Sequence, residues 1–273
     1  MRDYNVPVPD SFPIFPKPMR SLLPILSLSI LAAAASPAQG VGPIKLPPPK
    51  PLPAKVDDAA KALTDARQFR KDGEFAKALE RHEWFHANAL EINPGYYGMR
   101  LSFALSDWMV LASQYPPALE SLKRVRDEGT KKLEDGQGDA GLFHDVITIN
   151  GKLSEDAASI ALFKKLDATQ PELANKCFRM ISTVLIDKGE LELFDKQAGD
   201  PKVFLAREID AYKLGVEKLS NDPRAKQGIE HFRQKLINVT LTLAKIATEK
   251  GNAALATELK ETANKVVPDP RLK

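Results

Sequence analysis

Two histidines one helical turn apart flank a glutamate in His82-Glu83-Trp84-Phe85-His86, which reads H-E-x-x-H. Residues at i and i+4 share a helix face, so both imidazoles could ligate one zinc ion while the carboxylate acts on metal-bound water. Such a hydrolase would need a third ligand. In the extended form of the motif a glycine and a third histidine would stand where Ala89 and Ile92 are found, and His144 and His231 lie far along the chain. Projected at about 100° per residue, His82 and His86 fall inside the apolar stripe of Phe75, Ala78, Leu79, Phe85, Ala89 and Leu90, with Glu83 at its flank. The expectation is therefore two inward-facing structural or groove-lining histidines and no cofactor. A non-catalytic metal or ligand site at His82 and His86, and a zinc-dependent hydrolase, stand as alternatives.

Three other short motifs suggest chemistry. Gly136-Gln137-Gly138-Asp139-Ala140-Gly141 is G-x-G-x-x-G, but a dinucleotide site needs a strand before the glycines, and a charged helical stretch precedes them here. An inter-repeat loop is expected. Cys177, the only cysteine, excludes an internal disulfide and reads as a small buried hydrophobe within an apolar-periodic segment. Asn238-Val239-Thr240 matches a glycosylation sequon but sits in the middle of an expected helix.

The elements that would position these residues follow from the rest of the chain. Of 273 residues, 43% are hydrophobic and 27% charged, with a net charge of +3. That is a globular composition, too weakly basic to argue for nucleic acid. Arg20 precedes an apolar run from Ser21 to Ala35, and Ser36-Pro37-Ala38 supplies small residues before a cut after Ala38. This pattern predicts an N-terminal extension and secretory signal peptide over 1–38, export to a periplasmic or extracellular place, and no stable membrane span after cleavage. Thirteen of the 21 prolines lie at or before Pro53, so 39–55 reads as an extended proline-rich linker.

From Val56 to Val267 apolar residues recur at three- and four-residue intervals with no period-two strand. Helices are expected at about 56–71, 75–92, 96–113, 116–134, 141–150, 154–168, 172–187, 190–197, 201–219, 224–249 and 252–267. In 96–113, Leu101, Ala104, Leu105, Trp108, Leu111 and Ala112 form one stripe and Met99, Phe103 and Val110 another. Two stripes predict a helix sandwiched between neighbours, with Trp108 in the core. Short turns recur at Gly73, Ser113, Gly151 and Gly189, then at Gly251 after a longer step.

"GEFAKA" at Gly73, "ALEINP" at Ala89, "QYPPAL" at Gln114 and "GNAALA" at Gly251 resemble tetratricopeptide repeats across roughly 57–268, with degenerate spacing. The resemblance implies an all-α fold, an α-solenoid of antiparallel helix pairs over 56–268 followed by a tail at 269–273. It also implies a concave face that binds a protein or peptide partner without enzymatic activity. Arg67, Arg70, Lys71 and Arg100, on or next to the first helices of pairs, are the candidate binding residues, expected to be exposed and to contact carboxylates or backbone. A small-ligand-binding protein is the other alternative.

Overall fold

The computed structural model describes residues 59–219 and 225–273. The expected signal peptide, the proline-rich linker and residues 56–58 lie outside the described residues. Among the described residues there is no strand, and eleven helices carry the chain: α1 (Ala59–Lys71), α2 (Phe75–Ile92), α3 (residues 97–112), α4 (Pro116–Glu134), α5 (Ala140–Leu153), α6 (Asp156–Thr169), α7 (Pro171–Asp187), α8 (Leu191–Ala198), α9 (Pro201–Leu219), α10 (Lys226–Glu249) and α11 (Ala253–Asn264). The fold is all-α. Pro116, Pro171 and Pro201 open helices, where a fixed φ suits the first turn and a missing N–H costs nothing.

Each helix packs chiefly on its chain neighbours, and further contacts join α3 to α5, α5 to α7, α4 to α6 and α7 to α10. One turn geometry recurs between paired helices. Glu74, Gln137, Glu155, Glu190 and Asn252 each donate an N–H to the carbonyl five residues back, closing the ends of α1, α4, α5, α7 and α10. The residue before each of them has positive φ: Gly73, Gly136, Ser154, Gly189 and Gly251. This is the left-handed C-terminal cap that satisfies orphan helix carbonyls. In the third of these expected turns the structure corrects the sequence reading. Gly151 lies inside α5, and Ser154 at φ 60° turns the chain. The long step from Gly189 to Gly251 contains α9, a helix with no hairpin partner of this kind.

Small residues mark the crossings: Ala78, Ala89, Ala118, Ala174 and Ala263 are fully buried, which lets backbones approach closely. Phe75 and Tyr115, the aromatic positions of successive turns, touch with ring centroids 6.0 Å apart. Toward the C-terminus the core is a run of rings, Phe143, Phe163, Phe178, Phe194 and Phe204, each within 6.5 Å of the next. Residues 269–273 are not a free tail. Leu272 is 1% exposed, and Asp269 binds Arg233 and Arg271.

Helix α3 differs from its expected form twice. It contains a π turn, Arg100–Ala104, and its second apolar stripe is not covered: Met99, Phe103 and Val110 are exposed. The inner stripe alone meets neighbours. Trp108 is core as expected, 2% exposed, and its indole N–H donates to the Ala118 carbonyl at 3.0 Å.

Candidate functional site

The inward face of α2 carries His82 and His86 onto one indole. His82 stacks on Trp108 at 5.8 Å and 18°, and His86 meets the same ring edge-on at 6.0 Å and 76°. His82 is 2% exposed, and its Nδ1 has no hydrogen-bond partner. Burial, then the charges of Arg67 and Arg70, push its pKa from 6.5 down to about 4.

His86 faces Arg100, the first residue of the π turn. Arg100 Nη1 lies 3.0 Å from His86 Nε2 and 3.4 Å from the His86 carbonyl oxygen. Burial, and next the Arg100 guanidinium, push His86 down to about 3. Both imidazoles are neutral at neutral pH, because the protonated forms would lose water and meet cations. Arg100 is 5% exposed and Nη2 donates to Asp145 Oδ2 on α5. The pair is not fully satisfied: Arg100 Nε and Asp145 Oδ1 are buried without partners. Burial also raises the Asp145 pKa, against the lowering effect of Arg100. Beside them, Tyr97 Oη and His144 Nδ1 are hydrogen-bonded at 2.7 Å.

Glu83 takes no part in this cluster. Its Oε1 accepts from Ser121 Oγ and, at 2.9 Å, from Arg124 Nη2, both on α4. The H-E-x-x-H sequence is thus divided between two neighbours, histidines against α3 and glutamate against α4. A divalent cation at His86 would sit beside the Arg100 guanidinium, and Asp145, the nearest carboxylate partner of that guanidinium, is already engaged. Among the described residues no three His, Cys, Asp or Glu side chains gather as a metal-ligand group. The His86–Arg100–Asp145 cluster ties α2, α3 and α5 together through buried polar contacts.

No family model, curated protein or solved structure matches this chain.

The four candidate binding cations separate in the structure. Arg67 holds Asp107 of α3, with Nε and Nη2 each 2.7 Å from Oδ2. Arg70 is half-buried and Lys71 exposed at the end of α1, neither with a carboxylate partner among the described residues. Arg100, expected at the surface, is buried: the π turn directs it inward, where Asp145 compensates its charge. That expectation is corrected.

Of the glycine-rich stretch 136–141, residues 136–139 form the expected loop between α4 and α5, while Ala140 and Gly141 already open α5. Gly136 has φ +75°, a left-handed conformation that favours glycine, whereas at Gly138 the constraint is space, since a Cβ would fall 2.6 Å from Leu133 Cδ2. Asp139 Oδ1 caps α5 by accepting the Leu142 N–H at 2.8 Å. The loop edges an open groove of about 530 Å³ that continues along Gln170, Glu172 and Lys176. Cys177 is fully buried and its thiol is pushed up to about 11 by burial, which leaves it unreactive. In the sequon Asn238 is exposed, but Thr240 is fully buried with its hydroxyl bonded to the Leu236 carbonyl.

Sequence reasoning missed Asp145, Tyr97, Ser121 and Arg124. The first carried a signal: in "LFHDVITI" an aspartate stands among inward-facing Phe143, Val146 and Ile149, and a charge inside an apolar stripe asks for a buried partner. The others are ordinary surface-type residues whose partners lie far away in sequence.

Proposed function

We propose that this protein is a non-enzymatic helical-repeat scaffold that recognises a segment of another protein. The observation that carries this reading is the recurrence of one capped hairpin turn, at Gly73, Gly136, Ser154, Gly189 and Gly251, in helices that also contact their second neighbours. Repeated hairpins packed in this way suit an α-solenoid with an extended recognition surface. The tetratricopeptide-like residues Phe75, Ala78, Tyr115 and Ala118 occupy packing positions, in keeping with that reading. The H-E-x-x-H stretch supports it too, since its side chains are spent on packing and on ties between helices. The signal-peptide pattern of 21–38 favours an extracytoplasmic partner. Among the described residues no helix is long and apolar enough to cross a membrane.

Arg70 and Lys71, at the C-terminal end of α1, are the cations left available for a carboxylate-bearing segment. Cross-linking and affinity capture from native host extracts, followed by mass spectrometry, tests the proposal. The wild-type chain should retain a defined protein whose cross-links map to the α1–α2 turn, and Arg70→Glu with Lys71→Glu should lose it. Retention of no protein, or of the same protein by the double variant, would refute this placement.

A further inference from the structure

Glu208 of α9 is 4% exposed, and two cations from different helices share it. Its Oε1 accepts from Arg179 Nη2 of α7 at 3.3 Å, and its Oε2 lies 3.0 Å from Lys235 Nζ of α10. One carboxylate thus faces two cations, and a positive charge is left over where the three helices meet. Arg179 is the outer member. Its side chain is 55% exposed, and this long hydrogen bond occupies one of its five N–H donors. No acid close by in the helices cancels the excess. The positions one turn from Arg179 on α7, from Lys235 on α10 and from Glu208 on α9 hold no aspartate or glutamate. Lys176, one turn before Arg179, adds a third cation, exposed and without a carboxylate partner among the described residues. Glu172, a turn beyond Lys176, stands on the open groove beside α5 and bounds the strip. A tie between helices needs one cation per buried carboxylate, because each further cation is desolvated without compensation. A carboxylate arriving from outside would account for the surplus.

We propose that Lys176, Arg179 and Lys235 form an acidic-peptide site, at which an Asp- or Glu-bearing segment of a partner protein completes the charge balance. The proposal rests on the protein-binding reading above for the nature of its occupant, but its residues are distinct from Arg70 and Lys71 of α1. Glu208 is the positioning residue. It holds cations from two helices in place, which lowers the entropy cost of presenting them. The Arg179 fork suits a carboxylate, and Met180, exposed beside it, offers adaptable apolar contact to the same segment.

A fluorescein-labelled deca-glutamate peptide, titrated with the full chain in low-salt buffer and followed by anisotropy, tests this. The wild type should bind the peptide and release it as salt rises to about 0.5 M. Lys176→Glu should weaken binding about tenfold. Lys61→Glu, the same charge change in the first turn of α1, should leave it within about twofold. Both side chains are exposed, so circular dichroism should match the wild type. Carbodiimide, which joins carboxylate to amine, should couple the peptide to Lys176 or Lys235. No binding by the wild type overturns the proposal, as does equal weakening by the two variants or coupling spread evenly over the lysines. Coupling confined to Lys71 overturns it while leaving the α1–α2 placement standing. Because the probe is synthetic, an empty affinity capture from host extracts does not change these outcomes.

Discussion

His86 lies within hydrogen-bond distance of a guanidinium and against an indole edge, so its proton balance is part of the protein's stability. The folded pKa of His82 is about 4 and that of His86 about 3, both below the ordinary 6.5. Between those values and 6.5 the unfolded chain binds more protons than the folded one. Stability is therefore fully present above about pH 6.5 and falls as pH drops toward 4 and 3, by up to about 1.4 kcal/mol per pH unit for each ring. Asp145 acts in the opposite sense, because its raised pKa makes the folded state take up a proton first. Its contribution begins above 3.8 and offsets part of the loss at the acid end. His86→Met should flatten the dependence of urea midpoint on pH between about 5 and 6.5 by roughly one ring's share. An unchanged slope would mean that His86 titrates normally in the folded chain. The inward direction of both rings was legible from their place in an apolar stripe. Their cationic neighbour was not, since Arg100 is brought there by a π turn that periodicity does not reveal.

Most helix bounds were legible because capping glycines, N-terminal prolines and apolar periodicity act locally. The exception in the hairpin series is instructive. Glycine attracted attention to Gly151, but the equivalent position is Ser154, and the better signal was the following glutamate: Gly73-Glu74, Ser154-Glu155 and Gly189-Glu190 share it. Serine at φ 60° carries a Cβ where glycine carries none. Ser154→Gly should leave the protein as stable or raise its stability by up to about 1 kcal/mol, whereas Gly189→Ala, at φ +76°, should lower it by about 1 kcal/mol. Chemical denaturation of the two variants checks both signs. Element α3 shows the limit of periodicity in a second way. Two apolar stripes suggested cover on both sides, but an apolar pattern reports only the side chains, and whether a neighbour arrives depends on the path of the whole chain.

Hairpins become one body through joints between pairs, and the Arg100–Asp145 contact is the charged member of the joint between α3 and α5. A buried pair gains little net stability over an apolar one, yet removing one partner strands the other charge. Asp145→Asn should cost about 3–5 kcal/mol, while Arg100→Met combined with Asp145→Leu should recover most of that loss. Equilibrium unfolding in urea distinguishes them; equal losses would mean that packing, and not the stranded charge, sets the cost. Composition, periodicity and capping determined an all-α chain of about eleven helices with its crossings marked by alanine, because those signals act within a turn or two of the chain. Tertiary structure alone decided that Glu83 leaves its histidines for Ser121 and Arg124, that Arg100 goes inside and that Phe103 stays outside. Each depends on which distant helix arrives alongside, and that is settled by the packing of the whole molecule.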